Sequence, residues 1–233
     1  MVLKRIEGQL AFDFASKAKL CGFDLTVDRP VELLSAMQHF GAPTRLLDWT
    51  YSAYVGLYFA LERSLAYEDA AVWAINLTAL HARATRSVLP VEKLTDGRRL
   101  IPPIRVIDFS RDDMFKKHVL PDLDSYHRTH LLGEPKLQIL VPILPGAQNA
   151  RLAAQQGIFL CASQIGTSFL DQAAHLMRGV KSEWIVKFVV SRRMREDALK
   201  RLLQMNVHPL TLFPGPDGLG RFCMLKAELY GWE

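Results

Sequence analysis

The chain's absences narrow its function before its motifs do. Three cysteines in 233 residues, Cys21, Cys161 and Cys223, are too few and too far apart for a disulfide framework. None has a histidine at the short spacing of a zinc site. No apolar run reaches the roughly twenty residues of a spanning helix, and no signal-peptide pattern is present, so the expectation is a cytoplasmic protein with no membrane partner. The longest apolar run, 137–144, is broken by Gln138 and Pro142 and reads as a buried strand. There is no Gly-rich loop followed by Lys and Ser/Thr, no His-Glu-x-x-His helix and no Gly-x-Ser-x-Gly elbow. Nucleotide hydrolysis, zinc proteolysis and α/β-hydrolase chemistry therefore have no support. His118, His127 and His130 lie in a loop-rich stretch without the interleaved carboxylate pattern of a ligand set, and no metal site is expected. Without an internal repeat or a Gly/Ser/Pro-rich linker, residues 1–233 read as one domain.

A hydrophobic content of 49% is ordinary for a globular core, and the net charge is +5. Much of the basic excess lies at 93–99 and 187–201. Such patches suit a phosphate-bearing partner, nucleotide or nucleic acid, although the interleaved acids equally fit solvated helix faces. Composition leaves a protein partner open.

Periodicity predicts helices over 8–21, 31–39, 52–67, 149–156, 192–204 and 218–230, and strands over 71–77, 104–109, 137–143, 158–162 and 184–191. The stretch 80–130, with its prolines and charges, reads as excursion loops. A helix-rich N-terminal part leading into a strand-rich remainder gives an α+β fold, with helices packed on a central mixed sheet of about five strands.

The densest polar run is Met37 to Thr50. Gly41 allows the positive φ that ends a helix, and Pro43 holds Ala42 extended, so 41–44 should be a rigid turn in a helix-to-helix connection. Arg45 and Asp48, three apart around Leu46 and Leu47, suit one helical turn with the ion pair on one face. That pair either braces the loop or takes part in chemistry. Asp48 or Thr50 would cap the helix starting near Ser52. His39 can act as a general base or donate to a free carbonyl at the helix end. Gln38 carries an amide that reads a base edge or braces the loop. Trp49 and Tyr58 either stack on a planar ring or belong to the core. Further along, Gln156 and Gly157 open a strand, a place where a polar group can be held rigidly over a cleft. The helical pair Arg151 and Gln155 carries less information.

The run Gln38-His39-Phe40-Gly41-Ala42-Pro43-Thr44-Arg45-Leu46-Leu47-Asp48-Trp49-Thr50, followed by Val55-Gly56-Leu57-Tyr58-Phe59-Ala60, resembles the central signature of the FRG domain family. Segments 71–76, 151–159 and 211–214 with Gly218-Leu219 fit the same family, so the resemblance spans about residue 31 to the C-terminus. The Phe/Tyr-Arg-Gly tripeptide that names the family is absent; Ile6-Glu7-Gly8-Gln9 is the nearest approach. The expectation is a chain lacking its N-terminal segment, with weak or no activity.

The order of FRG motifs is similar to the layout of NAD-dependent ADP-ribosyltransferases. That likeness implies a polar pocket of the 38–50 loop and the 156–157 strand start, with NAD as substrate and no other cofactor. In it Thr44, Thr50 and Tyr58 would line the nicotinamide side, and His39 and Arg45 would contact phosphate or ribose. Gln156 would hold a ribose hydroxyl where the glycosidic bond breaks, with Asp48, Trp49, Gln38 and Gly157 completing the wall. A glutamine stabilises an oxocarbenium ion less well than a carboxylate does. The alternative is a non-catalytic binding module for a nucleotide, a nucleic acid or a protein.

Overall fold

The computed structural model describes residues 2–62, 68–88, 107–119, 138–146, 149–180 and 183–231. Its elements, in chain order, are α1 (Val2–Ala18), α2 (Pro30–His39), β1 (Leu46–Thr50), α3 (Ala53–Glu62), β2 (Ala70–Ile75), α4 (Leu77–Val88), α5 (Asp112–His118), β3 (Leu140–Ile143), α6 (Ala150–Ala154), β4 (Gly157–Ala162), α7 (Phe169–Leu176), β5 (Ile185–Val190), α8 (Arg195–Gln204), α9 (Pro209–Leu212) and α10 (Pro216–Tyr230). The fold is α+β.

The five strands do not share one central sheet. They divide into a three-stranded sheet in the order β1-β4-β3 and a two-stranded ribbon of β2 and β5. β3 runs antiparallel to β4, from Leu140 opposite Ala162 to Ile143 opposite Phe159. β2 runs antiparallel to β5, from Ala70 opposite Val190 to Ile75 opposite Ile185. The chain forms two compact units, 1–47 with 76–147 and 159–184, and 48–75 with 148–158 and 185–233.

In the first unit, α1 buries Glu7, Ala11, Ala15 and Ala18 at helical spacing, and the alanines allow close approach to α2. Pro30 starts α2 with its preset φ, and Val31, Leu33, Leu34 and Met37 form its buried face. Each of these side chains contributes roughly 1.5–3 kcal/mol by leaving water. The helix ends in a complete Schellman motif: Gly41, at φ 79°, donates to the Gln38 carbonyl, and Ala42 donates to that of Met37 at 2.8 Å. Beyond it, α4 packs on β3 and α7 through Leu80 and Ala84.

In the second unit, α3 supplies Val55, Tyr58 and Leu61 to a core completed by Leu199 and Leu202 of α8, Leu212 and Phe213, and Leu225 and Leu229 of α10. Asn206 ends α8 at φ 62°, taking the left-handed position that glycine usually fills.

Four local expectations are corrected. Residues 46–50 are a strand, not a helical turn, so the segment after α2 is not a simple helix-to-helix connection. Residues 107–109 are not in a strand; 104–106 lie outside the described residues. Described parts of 80–130 are helical, in α4 and α5. The cap of α3 is Ser52, whose hydroxyl accepts from the Val55 N–H, and Thr50 instead accepts from the Ser52 N–H at 3.0 Å. The basic run 93–99 and the histidines 127 and 130 also fall outside the described residues.

Candidate functional site

Four of the candidate residues lie in the first unit. The Thr44 hydroxyl donates to the Gln38 side-chain oxygen and accepts from the Leu46 N–H at 3.1 Å. Together these bonds hold the Gly41–Thr44 turn against the end of α2. His39 is half-buried as the last residue of α2, its ring edge-on to Phe40 with centroids 4.8 Å apart.

Arg45 does not pair with Asp48. Its Nε donates to both carboxylate oxygens of Glu7 at 3.0 Å and its Nη2 to Glu7 Oε2. Nη1 donates to the Ser163 carbonyl at 3.0 Å. The two side chains are 5% and 10% exposed, which makes this a buried, forked ion pair. Nothing local marks Glu7 as the partner, because the two residues are 38 positions apart and only folding joins them. The same charges bear on Cys161, whose thiol burial pushes up to about 12, with Arg45 pulling it down and Glu7 pushing it up. It is not a nucleophile at neutral pH.

The remaining candidates lie in the second unit. Asp48 is exposed and Trp49 half-buried on β1. The Thr50 hydroxyl donates to the Gln155 carbonyl at 2.7 Å, and the Tyr51 N–H donates to that of Gln156 at 3.0 Å. The end of β1 and the turn after α6 are thus fastened together. Tyr58 is buried in the core and its hydroxyl donates to Glu62 Oε1 at 3.1 Å. Burial first, and then the Glu62 charge, raise its pKa well above that of an ordinary phenol. It stays a protonated donor facing Glu62.

Gln156 is exposed and has φ 48°. It occupies the left-handed position that caps α6, its N–H donating to the Ala153 carbonyl at 3.0 Å. Glycine is the usual choice there, yet the glycine stands one residue later. A Cβ on Gly157 would lie 2.4 Å from Leu152 Cδ1, so Gly157 is required by packing against α6. Sequence reading also gave little weight to Arg151, which lies over the ring of Phe213 together with Arg221; the 211–214 motif was the available signal.

Among the described residues no group of three or more His, Cys, Asp or Glu side chains is arranged to hold a metal ion, and no helix is long and apolar enough to cross a membrane. No curated protein matches the chain, and neither does any solved structure. The family model of the FRG domain matches residues 6–69, a span that takes in α1, α2, β1 and α3. Glu7 and Arg45 both fall inside it, and over that segment the chain is similar to the FRG domain.

Proposed function

We propose that this chain is a non-catalytic binding module for a nucleotide-like ligand, working in the cytoplasm. The supporting observation is the engagement of its reactive groups. The Arg45 guanidinium holds Glu7, Gln38 holds Thr44, and Thr50 holds Gln155. Asp48 and Gln156 are exposed polar side chains near the fastened end of β1. A carboxylate and an amide recognise sugar hydroxyls and base edges well, and they do not form a nucleophile with its base. A nucleic-acid or protein partner is the other form of the same reading.

The second reading is ADP-ribosyltransferase-like cleavage of NAD. What favours it is the left-handed backbone of Gln156, since non-glycine residues held in that region gather at functional sites.

One experiment separates the two. Thermal unfolding is followed with NAD and with ADP-ribose, while NAD is assayed for loss. The expected result is stabilisation by both ligands, about 2.7 kcal/mol at a hundredfold excess over Kd, reduced in Asp48→Asn and Gln156→Ala, with NAD intact. NAD consumption that disappears in His39→Ala and Gln156→Ala would replace the binding module with the transferase. No stabilisation by either compound would remove the nucleotide and leave a macromolecular partner.

A further inference from the structure

We propose that Arg151 and Arg221, held over the ring of Phe213, form an anion site in the second unit that takes the phosphate groups of a small ligand. The Cζ atoms lie 5.0 Å and 4.3 Å from the ring centroid. Phe213 itself is only 4% exposed, and Phe59 meets it edge-on with centroids 5.9 Å apart. A guanidinium lying over an aromatic face is held by the ring's quadrupole while its N–H edge stays open to acceptors.

The charges around this ring do not balance. Arg221 donates to Glu62 Oε1 at 2.9 Å, the same oxygen that accepts from Tyr58. Arg151 is half-buried, and among the described residues its guanidinium donates to no acceptor and joins no ion pair. Arg221 therefore has a carboxylate partner and Arg151 has none among the described residues. The unmatched fork has the geometry for two phosphate oxygens, which an ammonium cannot copy.

The site is also held in place before any ligand arrives. The Asn149 side chain accepts from the Leu152 N–H at 2.7 Å and fixes the start of α6. At the other end of that helix, the Gln155 amide donates to the Leu212 carbonyl at 3.0 Å, next to Phe213. The helix that carries Arg151 is thus capped at its start and tied beside the ring at its end, an arrangement that lowers the ordering cost of binding. This inference stands apart from the proposal for Asp48 and Gln156.

The test is calorimetric titration with inorganic pyrophosphate at constant ionic strength, with chloride as the reference anion and circular dichroism to confirm folding. Wild-type protein should bind saturably. Arg151→Gln, which leaves the Arg221–Glu62 pair intact, should weaken binding tenfold or more. Arg151→Lys, charged but without the fork, should fall between them, and Arg86→Gln, an exposed arginine of the first unit, should match wild type. A parallel titration with ADP identifies the source: tighter binding than pyrophosphate assigns a nucleotide, and equal binding assigns the phosphates alone. The proposal fails if wild type binds neither compound, or if Arg151→Gln and Arg151→Lys both bind as wild type does.

Discussion

Glu7 and Arg45 join the first helix of the chain to the centre of its signature motif through a buried, forked ion pair. Removing one partner leaves the other charged, buried and unanswered. Glu7→Gln is therefore expected to destabilise the protein by about 3–5 kcal/mol, read as a lower urea midpoint. The double variant Glu7→Met/Arg45→Met should recover much of that loss, because matched apolar groups carry no uncompensated charge.

Three glycines should respond to alanine in a set order. Gly218→Ala places its Cβ 1.9 Å from the Phe213 carbonyl oxygen and 2.9 Å from that of Pro209. Both are backbone atoms, so a loss of about 3 kcal/mol or more is expected. Gly157→Ala meets Leu152 Cδ1 at 2.4 Å and the Leu152 carbonyl oxygen at 3.2 Å, so Leu152 must shift, for about 1–3 kcal/mol. Gly220, in the same helix as Gly218, has nothing within 4 Å, and Gly220→Ala should stabilise by about 0.5–1 kcal/mol. Thermal unfolding of the three variants checks the order.

Gln156→Gly should raise stability by about 0.5–1 kcal/mol, because the left-handed conformation costs a side-chain-bearing residue more than glycine. If the side chain reads a ligand, the same substitution removes the stabilisation that NAD or ADP-ribose confers. A variant firmer by itself and indifferent to nucleotide is the expected pairing. A Gln156→Gly protein that still responds as wild type would assign that amide no part in binding.

The acid side of the stability profile should depend on His208. Its Nε2 faces Asn206 Oδ1 at 2.9 Å, Phe222 packs on the ring at 5.0 Å, and burial lowers its pKa below the ordinary histidine value of 6.5. The folded state therefore favours the neutral ring, and the unfolded chain binds the proton more readily. Stability from this source is complete above about pH 6.5 and declines as pH falls below it. In His208→Gln the difference in melting temperature between pH 7.5 and pH 5 should be smaller than in wild type.

The elements legible in the sequence are those whose pattern is local. Val31, Leu33, Leu34 and Met37 mark α2 by their spacing, and Gly41 marks its end. The apolar face of α3 and the alternation of β2 are equally direct. The segment 46–50 was misread because a five-residue run holding Leu46, Leu47 and Trp49 has no period of its own. It is a strand because β4 lies beside it, and that neighbour is more than a hundred positions away. Arg45 misled for the same reason, since Asp48 was the nearest acid in the chain and Glu7 the nearest in space. α4 was hidden by its polar residues. Arg83 instead reaches the carbonyls of Leu176 and Arg178, and Asn76 caps the helix by accepting from the Ala79 N–H.

The ribbon of β2 and β5 sets the order in which the protein is completed. Its strands pair residues 70–75 with residues 185–190, and the Asp69 carboxylate accepts from the Arg192 N–H at the end of that pairing. While the polypeptide is being made, β2 leaves the ribosome more than a hundred residues before its mate. Through that interval β2 can pack on α3, but its hydrogen-bonding edge has no strand to pair with, and closing so long a loop is slow. Conditions that prolong elongation between residues 75 and 185 should therefore cost yield of the native protein rather than its stability once formed.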